Sequence, residues 1–249
     1  MKVAVALSLV LFASPALAQD GTLRMAWDAC PGSPGAVGGV VFNCDPQSGG
    51  TYSVLSVFTL RDTLRDVLHL DGTVELTLRD SPIVVPFWHF ETGSCNTSGL
   101  QLRDAQPSTG CTGVRSTLCS AGGVACDGRI VSYVVGPGGG LLANHARLYF
   151  TLERPPGTST ALAGSGAGYF AFELRFLMTN AGGSVCSGCT QVVAITWLDA
   201  TLFDTAGTPV AQLASTNPGS DATVYANCAG CTIVKDQRGT WGLLKALYR

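Results

Sequence analysis

The chain has 249 residues, of which 13% are charged and 46% hydrophobic, and its formal net charge is −2. No run of Lys or Arg concentrates positive charge, so no nucleic-acid partner is expected. No apolar stretch reaches the roughly 20 residues of a membrane-spanning helix, so no transmembrane segment is expected in the mature chain.

Residues 1–18 have the plan of a cleaved signal peptide: Lys2, an apolar run from Val3 to Phe12, and Ala16-Leu17-Ala18 as a small-x-small cleavage site. Cleavage would leave Gln19 as the first mature residue. Cys30, the first cysteine, lies too far beyond that point for a lipid anchor. The expected product is therefore soluble and secreted, extracellular or periplasmic. All ten cysteines lie in the mature part, where thiols are oxidised, so Cys30, Cys44, Cys95, Cys111, Cys119, Cys126, Cys186, Cys189, Cys228 and Cys231 are expected in disulfides. Proximity along the chain favours Cys30 with Cys44 and local pairs among Cys95, Cys111, Cys119 and Cys126.

Period-two alternation marks the strands. Weaker signals cover Thr22 to Trp27 and Tyr52 to Leu60, and Val74, Leu76 and Leu78 then alternate with Glu75, Thr77 and Arg79. Phe87 to Phe90 and Arg129 to Val135 are weaker candidates, and Leu148, Phe150 and Leu152 alternate with Tyr149, Thr151 and Glu153. From 169 to 179, Phe170, Phe172, Leu174, Phe176 and Met178 share one face and Ala171, Glu173, Arg175 and Thr179 the other. Gln191 to Phe203 is apolar on both faces and reads as a central strand. Between these runs lie joints rich in Gly, Pro, Ser and Asn. The long piece from Glu91 to Gly128 carries four cysteines and little apolar content, as a covalently closed loop would.

Strands without crossover helices pair antiparallel. The expected fold is all-β, an antiparallel two-sheet sandwich, Ig-like or jelly-roll-like, with a short C-terminal helix. Its parts are a signal peptide (1–18), a disulfide-stapled sandwich domain (19–239) and a helical tail (240–249), where Thr240 caps a short helix carrying Trp241, Leu244 and Leu247 or Tyr248 on one face. That tail is read as a lid on one end of the sandwich or as a docking or sorting signal.

Trp27 before Cys30 and Cys44, the Phe87-Trp88-His89-Phe90 run before Cys95, Tyr169 to Phe176, Cys186-x-x-Cys189 ahead of an apolar strand, and the ending from Thr240-Trp241-Gly242 to Tyr248-Arg249 make a combined pattern. It resembles a group of secreted, cysteine-containing β proteins of environmental bacteria that has no established activity. The resemblance implies export and a β fold, and no site residue follows from it.

Candidate chemistry is sparse. Cys186-Ser-Gly-Cys189 and Cys228-Ala-Gly-Cys231 have the spacing of a four-thiolate zinc site or a redox dithiol, although an exported chain favours disulfides within or between the two pairs. Trp88, His89 and Glu91 are candidate ligand-facing residues on an aromatic strand. Three histidines, His69, His89 and His145, are isolated from one another in sequence, and no Gly-x-Ser-x-Gly occurs. Glu75, Glu153 and Glu173 fall on polar strand faces, where solvated carboxylates belong, and Trp27, Trp88, Trp197 and Trp241 suit a core better than a sugar platform. Asp45, Asp199 and Asp204 fit turn chemistry as well as a calcium loop. Asn96-Thr97-Ser98 matches a glycosylation sequon.

The reading that follows is a secreted or surface-associated structural or binding module, with no cofactor, whose partner is a surface polymer or a protein. A polysaccharide-acting secreted enzyme is the alternative, and a zinc or redox protein built on the two CxxC pairs the third.

Overall fold

The computed structural model describes residues 21–115, 118–119, 124–181, 186–215, 221–229 and 231. The signal peptide and the C-terminal helix expected from the sequence lie outside these residues.

The described chain is an all-β sandwich. Its strands are β1 (Gly21–Trp27), β2 (Gly39–Val40), β3 (Thr51–Leu60), β4 (Leu64–Leu78), β5 (Leu100–Arg103), β6 (Asp127–Val135), β7 (His145–Glu153), β8 (Thr160–Leu162), β9 (Gly168–Leu177), β10 (Val193–Asp204), β11 (Pro209–Ala214) and β12 (Thr223–Ala226). A smaller sheet has the order β1-β3-β9-β5. The larger runs β2-β12-β10-β4-β7-β6, with β11 also paired to β10 and β8 to β4. All strand pairs are antiparallel except the short β2–β12 pair. β10 is central, as expected, because β4 lies along one side of it and β12 and β11 along the other.

The alternation read from the sequence sets which residues meet between the sheets. Val74, Leu76 and Leu78 of β4, Leu148, Phe150 and Leu152 of β7, and Ile195, Trp197 and Leu202 of β10 are buried facing Trp27, Phe58, Phe172, Leu174 and Phe176 of the smaller sheet. Phe176 is the hub: its ring lies 5.8–6.1 Å from those of Trp27, Phe42, Trp88 and Phe90. Burying one such side chain stabilises a fold by roughly 1.5–3 kcal/mol.

Two expectations about individual strands are corrected. Phe87 to Phe90 is not a strand: Pro86–Trp88 is a 3-10 turn, because proline at its first position has its φ already set and no N–H to place in a ladder. In β9, Phe170 does not share a face with Phe172. The β3–β9 register shifts between Leu55 and Val57, so that Ala171 and Phe172 together oppose Ser56. The extra residue moves Phe170 to the outer face, against Cys30, Leu55 and Val57. Ser56, fully buried, fits the bulge, donating to the Phe172 carbonyl at 2.7 Å and accepting from the Phe172 N–H at 2.9 Å.

All ten cysteines are bonded. The pairs are Cys30–Cys111, Cys44–Cys189, Cys95–Cys186, Cys119–Cys126 and Cys228–Cys231. Cys119–Cys126 is a local pair of the expected kind, but Cys30 does not reach Cys44, and Cys95 and Cys111 bond far along the chain. Sequence proximity fails here because sheet topology, not chain distance, sets which loops meet. Cys44–Cys189 joins segments 145 residues apart. Beside it, Asn227, at φ +59°, accepts from the Phe42 N–H at 2.9 Å and donates to the Cys189 and Gln191 carbonyls at 2.6 and 2.8 Å.

Asn227→Ala removes three hydrogen bonds and leaves a β-carbon in the left-handed region, so it should lower unfolding stability by about 2–4 kcal/mol in a denaturant titration. Asn227→Gly, which tolerates that backbone, should cost less. An intact mass taken without reductant should fall short of the reduced chain by two hydrogens for each of the five bridges.

Candidate functional site

The two outer faces of the sandwich differ. On the smaller sheet, Leu55, Val57 and Phe170 are buried beneath Cys30, Cys111 and Val114. Residues 111–115 run along β9 there, the Arg115 N–H donating to the Gly168 carbonyl and the Phe170 N–H to that of Arg115. The larger sheet instead presents an open, polar outer face across β10, β4, β7 and β6.

Register places its side chains in transverse rows. Thr196, Glu75, Arg147 and Val134 form one, and Asp199, Thr73, Tyr149 and Ser132 the next. Thr201, Asp71, Thr151 and Arg129 follow, then Phe203, His69, Glu153 and Asp127. Neighbouring strands lie about 4.8 Å apart and successive rows about 7 Å apart.

Two bulges shape this face. β10 carries an extra residue, Leu198, between the pairs Trp197–Val74 and Asp199–Thr73. β6 carries an extra residue, Val131, between Ile130–Phe150 and Ser132–Tyr149. Both border the Thr73–Tyr149 pair, one from each side of the sheet. Were Leu198 paired regularly with Thr73 instead of bulging, Asp199 would face the core opposite Gly72, where an added β-carbon would meet the Phe150 ring at 2.4 Å. The bulge puts Ala200 there and turns Asp199 outward.

Glu75 is the centre of the network, its side chain only 15% exposed in an open face. It accepts from Arg147 Nε at 2.7 Å, and its other oxygen lies 3.1 Å from His145 Nδ1. The Glu75 hydrogen bond holds the Arg147 guanidinium further above its ordinary range, with Tyr149 adding to the effect against the cost of burial. Burial raises the Asp199 carboxyl, opposed by a hydrogen bond from Thr73 and the charge of Arg147. Further along, Arg129 pairs with Asp127 at 2.9 Å, and the His69 ring stacks on Phe203 at 4.2 Å. A concavity of about 360 Å³ adjoins Glu75, His145 and Arg147 and is walled by Gly140, Leu141 and Leu142.

The other sequence candidates lie elsewhere. Trp88 is fully buried in the aromatic core, its indole N–H donating to the Gly188 carbonyl at 3.2 Å, so its ring faces no ligand. His89 Nδ1 meets Glu91 Oε1 at 2.5 Å, and His89 Nε2 lies 3.2 Å from the Val84 carbonyl, which ties the turn to the following loop. Beneath them, Tyr133 donates to the Trp88 carbonyl at 2.7 Å, and burial, with a contribution from the Glu91 charge, pushes its phenol well above the ordinary range. Cys186 and Cys189 are bonded to Cys95 and Cys44, and Cys228 to Cys231, so the two CxxC pairs hold no thiolates for zinc.

Glu173 lies on the smaller sheet, accepting from Ser53 at 2.5 Å, and thus on the opposite side of the sandwich from Glu75. Glu153 sits six positions beyond Arg147 on β7, about 20 Å from the Glu75 level. Neither distance suits two carboxylates flanking one glycosidic bond. Asp45 makes an ordinary turn, its carboxyl lowered by hydrogen bonds first from Ser48 and then from the Gln47 N–H. Asp204 closes the β10–β11 hairpin through the Ala206 and Thr208 N–H groups. Asn96 of the sequon is fully buried and donates to the Phe87 carbonyl at 2.6 Å, which leaves it no room for a glycan in the folded protein.

Sequence reasoning named Glu75 and His145 separately but did not join them or include Arg147. The signal that could have done so was the shared parity of β4 and β7, whose polar positions carry all three residues.

No protein-family model matches the chain, and no curated protein matches it. Among solved structures it is similar to the second type II cohesin module of the cellulosomal adaptor ScaA scaffoldin of Acetivibrio cellulolyticus, at 9% identity and a TM-score of 0.33, over 78% of this chain and 91% of that one. It is also similar to the type II cohesin dyad of the same scaffoldin, at 11% identity and a TM-score of 0.33, over 85% of this chain and 50% of that one. Likeness at this level assigns neither a family nor a partner.

Asp199 supplies a pH test of the face. Its carboxyl is raised in the folded state, so the folded chain holds that proton more tightly and the ionised form opposes folding. That cost is absent below the unfolded carboxylate range and grows as pH rises through the folded one. Thermal scans from pH 3 to pH 7 should show Asp199→Asn gaining stability relative to wild type as pH rises.

Proposed function

We propose that the protein is a secreted or surface-associated binding module whose working surface is the outer face of the larger sheet. The observation that carries this reading is the half-buried Glu75–Arg147–His145 network on the open face of the larger sheet, beside the β6–β7 turn. A sandwich needs no such network to fold, since the desolvation cost of a partly buried ion pair offsets most of its Coulombic gain. Side chains held in place by one another lose little entropy when a partner arrives, which favours recognition. Five disulfides fit a chain that works where thiols are oxidised, as the signal-peptide reading of residues 1–18 expects.

The alternative, hydrolysis of a polysaccharide, is favoured by one observation. Asp199 and Glu75 lie diagonally across the β10–β4 register in contrasting environments, the first raised by burial and the second engaged by Arg147. Such a contrast is what a proton donor and a carboxylate partner require.

Two measurements test these readings. Fractionated producing cells should hold the protein outside the cytoplasm, with Gln19 as its N-terminus, and Arg147→Glu should release it from the surface or polymer that retains the wild type. New reducing ends from a glycan panel, lost in Glu75→Gln, would replace the binding reading with the hydrolytic one.

A further inference from the structure

The partner's chemistry can be narrowed, taking the binding-face reading as the starting point. The four rows carry five carboxylates (Glu75, Asp199, Asp71, Glu153 and Asp127) against two guanidiniums (Arg147 and Arg129), an excess that repels a polyanion. In the two rows of Glu75 and Asp199 a strongly cationic partner finds no free carboxylate either, because the unbalanced charge, Asp71 and Glu153, lies in the two rows beyond. Glu75 is occupied by Arg147, Asp127 by Arg129, and Asp199 is held by Thr73 beside Arg147. What these two rows offer is hydrogen-bonding capacity with their charges already engaged. A carboxylate offers about four lone-pair positions, and one or two bonds leave the others open; the hydroxyls of Thr73, Thr196 and Ser132 both donate and accept.

We propose that this face binds a neutral polysaccharide, laid over the two rows that the Leu198 and Val131 bulges border. Sugar hydroxyls donate to Asp199 and Glu75 and accept from Arg147. Vicinal hydroxyls suit this set because each is donor and acceptor at once, and a row of side chains about 4.8 Å apart meets several of them together. The bulges matter twice. They aim Asp199 into the row, and the strong local twist they add offers a long polymer a saddle instead of a flat sheet. The concavity walled by Leu141 and Leu142 lies beside Arg147 and gives the apolar face of a sugar ring a place to rest.

The test is affinity electrophoresis of the full-length exported protein in gels containing neutral glucan, xylan or mannan, with alginate as the anionic comparison. At least one neutral polymer should retard migration and alginate should not. Glu75→Ala and Asp199→Ala should each weaken that retardation at least tenfold with folding, checked by circular dichroism, unchanged. Thr22→Ala, on the outer face of the smaller sheet, should leave it unaltered.

Three results would overturn the inference. If no neutral polymer retards the protein, but a purified protein partner is held through this face and lost in both variants, the glycan is wrong and the binding face stands. If a neutral polymer binds and the variants bind it equally well, both the glycan site and the face are wrong. Retardation by alginate matching that by the neutral polymers would remove the charge argument on which the choice of ligand rests.

Discussion

Side chains alternate along a β-strand with a period of two, so one extra residue transfers everything beyond it to the opposite face of the sheet. This sandwich applies that rule in β9, β10 and β6. In β9 the extra residue opposite Ser56 sends Phe170 out of the main core and under the loop closed by Cys30–Cys111. In β10 Leu198 sends Asp199 out of the core and brings Ala200 in, and in β6 Val131 borders the same row from the other side. An aspartate packed against Gly72 and Phe150 would be a desolvated charge with no room for a partner, which costs several kcal/mol. The bulge removes that penalty and in the same step supplies the polar face with one of its carboxylates.

Packing and crosslinks divide the remaining work by distance. Near the end of the sandwich where β9 finishes, Phe176 gathers the rings of Trp27, Phe42, Trp88 and Phe90, so segments from β1, the loop after β2 and the turn at Pro86–Trp88 meet through one side chain. The loops around this cluster lie outside the strand ladders. Cys44–Cys189, Cys95–Cys186 and the three bonds of Asn227 supply the constraint that a ladder supplies elsewhere. Trp27, whose indole N–H reaches the Tyr225 carbonyl at 3.0 Å, ties the smaller sheet to β12 of the larger.

What the sequence made legible follows the same division. Strands long enough to show alternation, β4, β7 and most of β9, were read with the right inward residues, because burial on one face leaves a local trace. The short strands β2, β5, β8, β11 and β12 left none, since two to six residues give alternation too little length. Bulges are invisible to a periodic reading, which is why Phe170 was placed with Phe172 and β10 was read as apolar on both faces. Disulfide partners were missed for a related reason: Cys30 and Cys111 meet because of how β1 and β9 sit in one sheet, and that is a property of topology. The local pairs Cys119–Cys126 and Cys228–Cys231 need no topology, and both were within reach.

The candidate site was the least legible feature because none of its residues is unusual alone. Glu75, His145 and Arg147 each occupy an ordinary polar strand position, and only the β4–β7 register, with Glu75 opposite Arg147 and Thr77 opposite His145, makes them a unit. The aromatic run at Trp88 is the opposite case, conspicuous in sequence and buried in the fold. The contrast between the outer faces argues that the polar one is not incidental. The smaller sheet shows that this chain covers an outer face when the residues on it are apolar: Leu55, Val57 and Phe170 lie under a disulfide-held loop. On the larger sheet the chain instead leaves carboxylates half-buried and, at Asp199, accepts an ionised group that opposes folding. Such a cost at an exposed sheet centre, where a threonine or serine would carry none, is the kind of local sacrifice of stability that binding surfaces make.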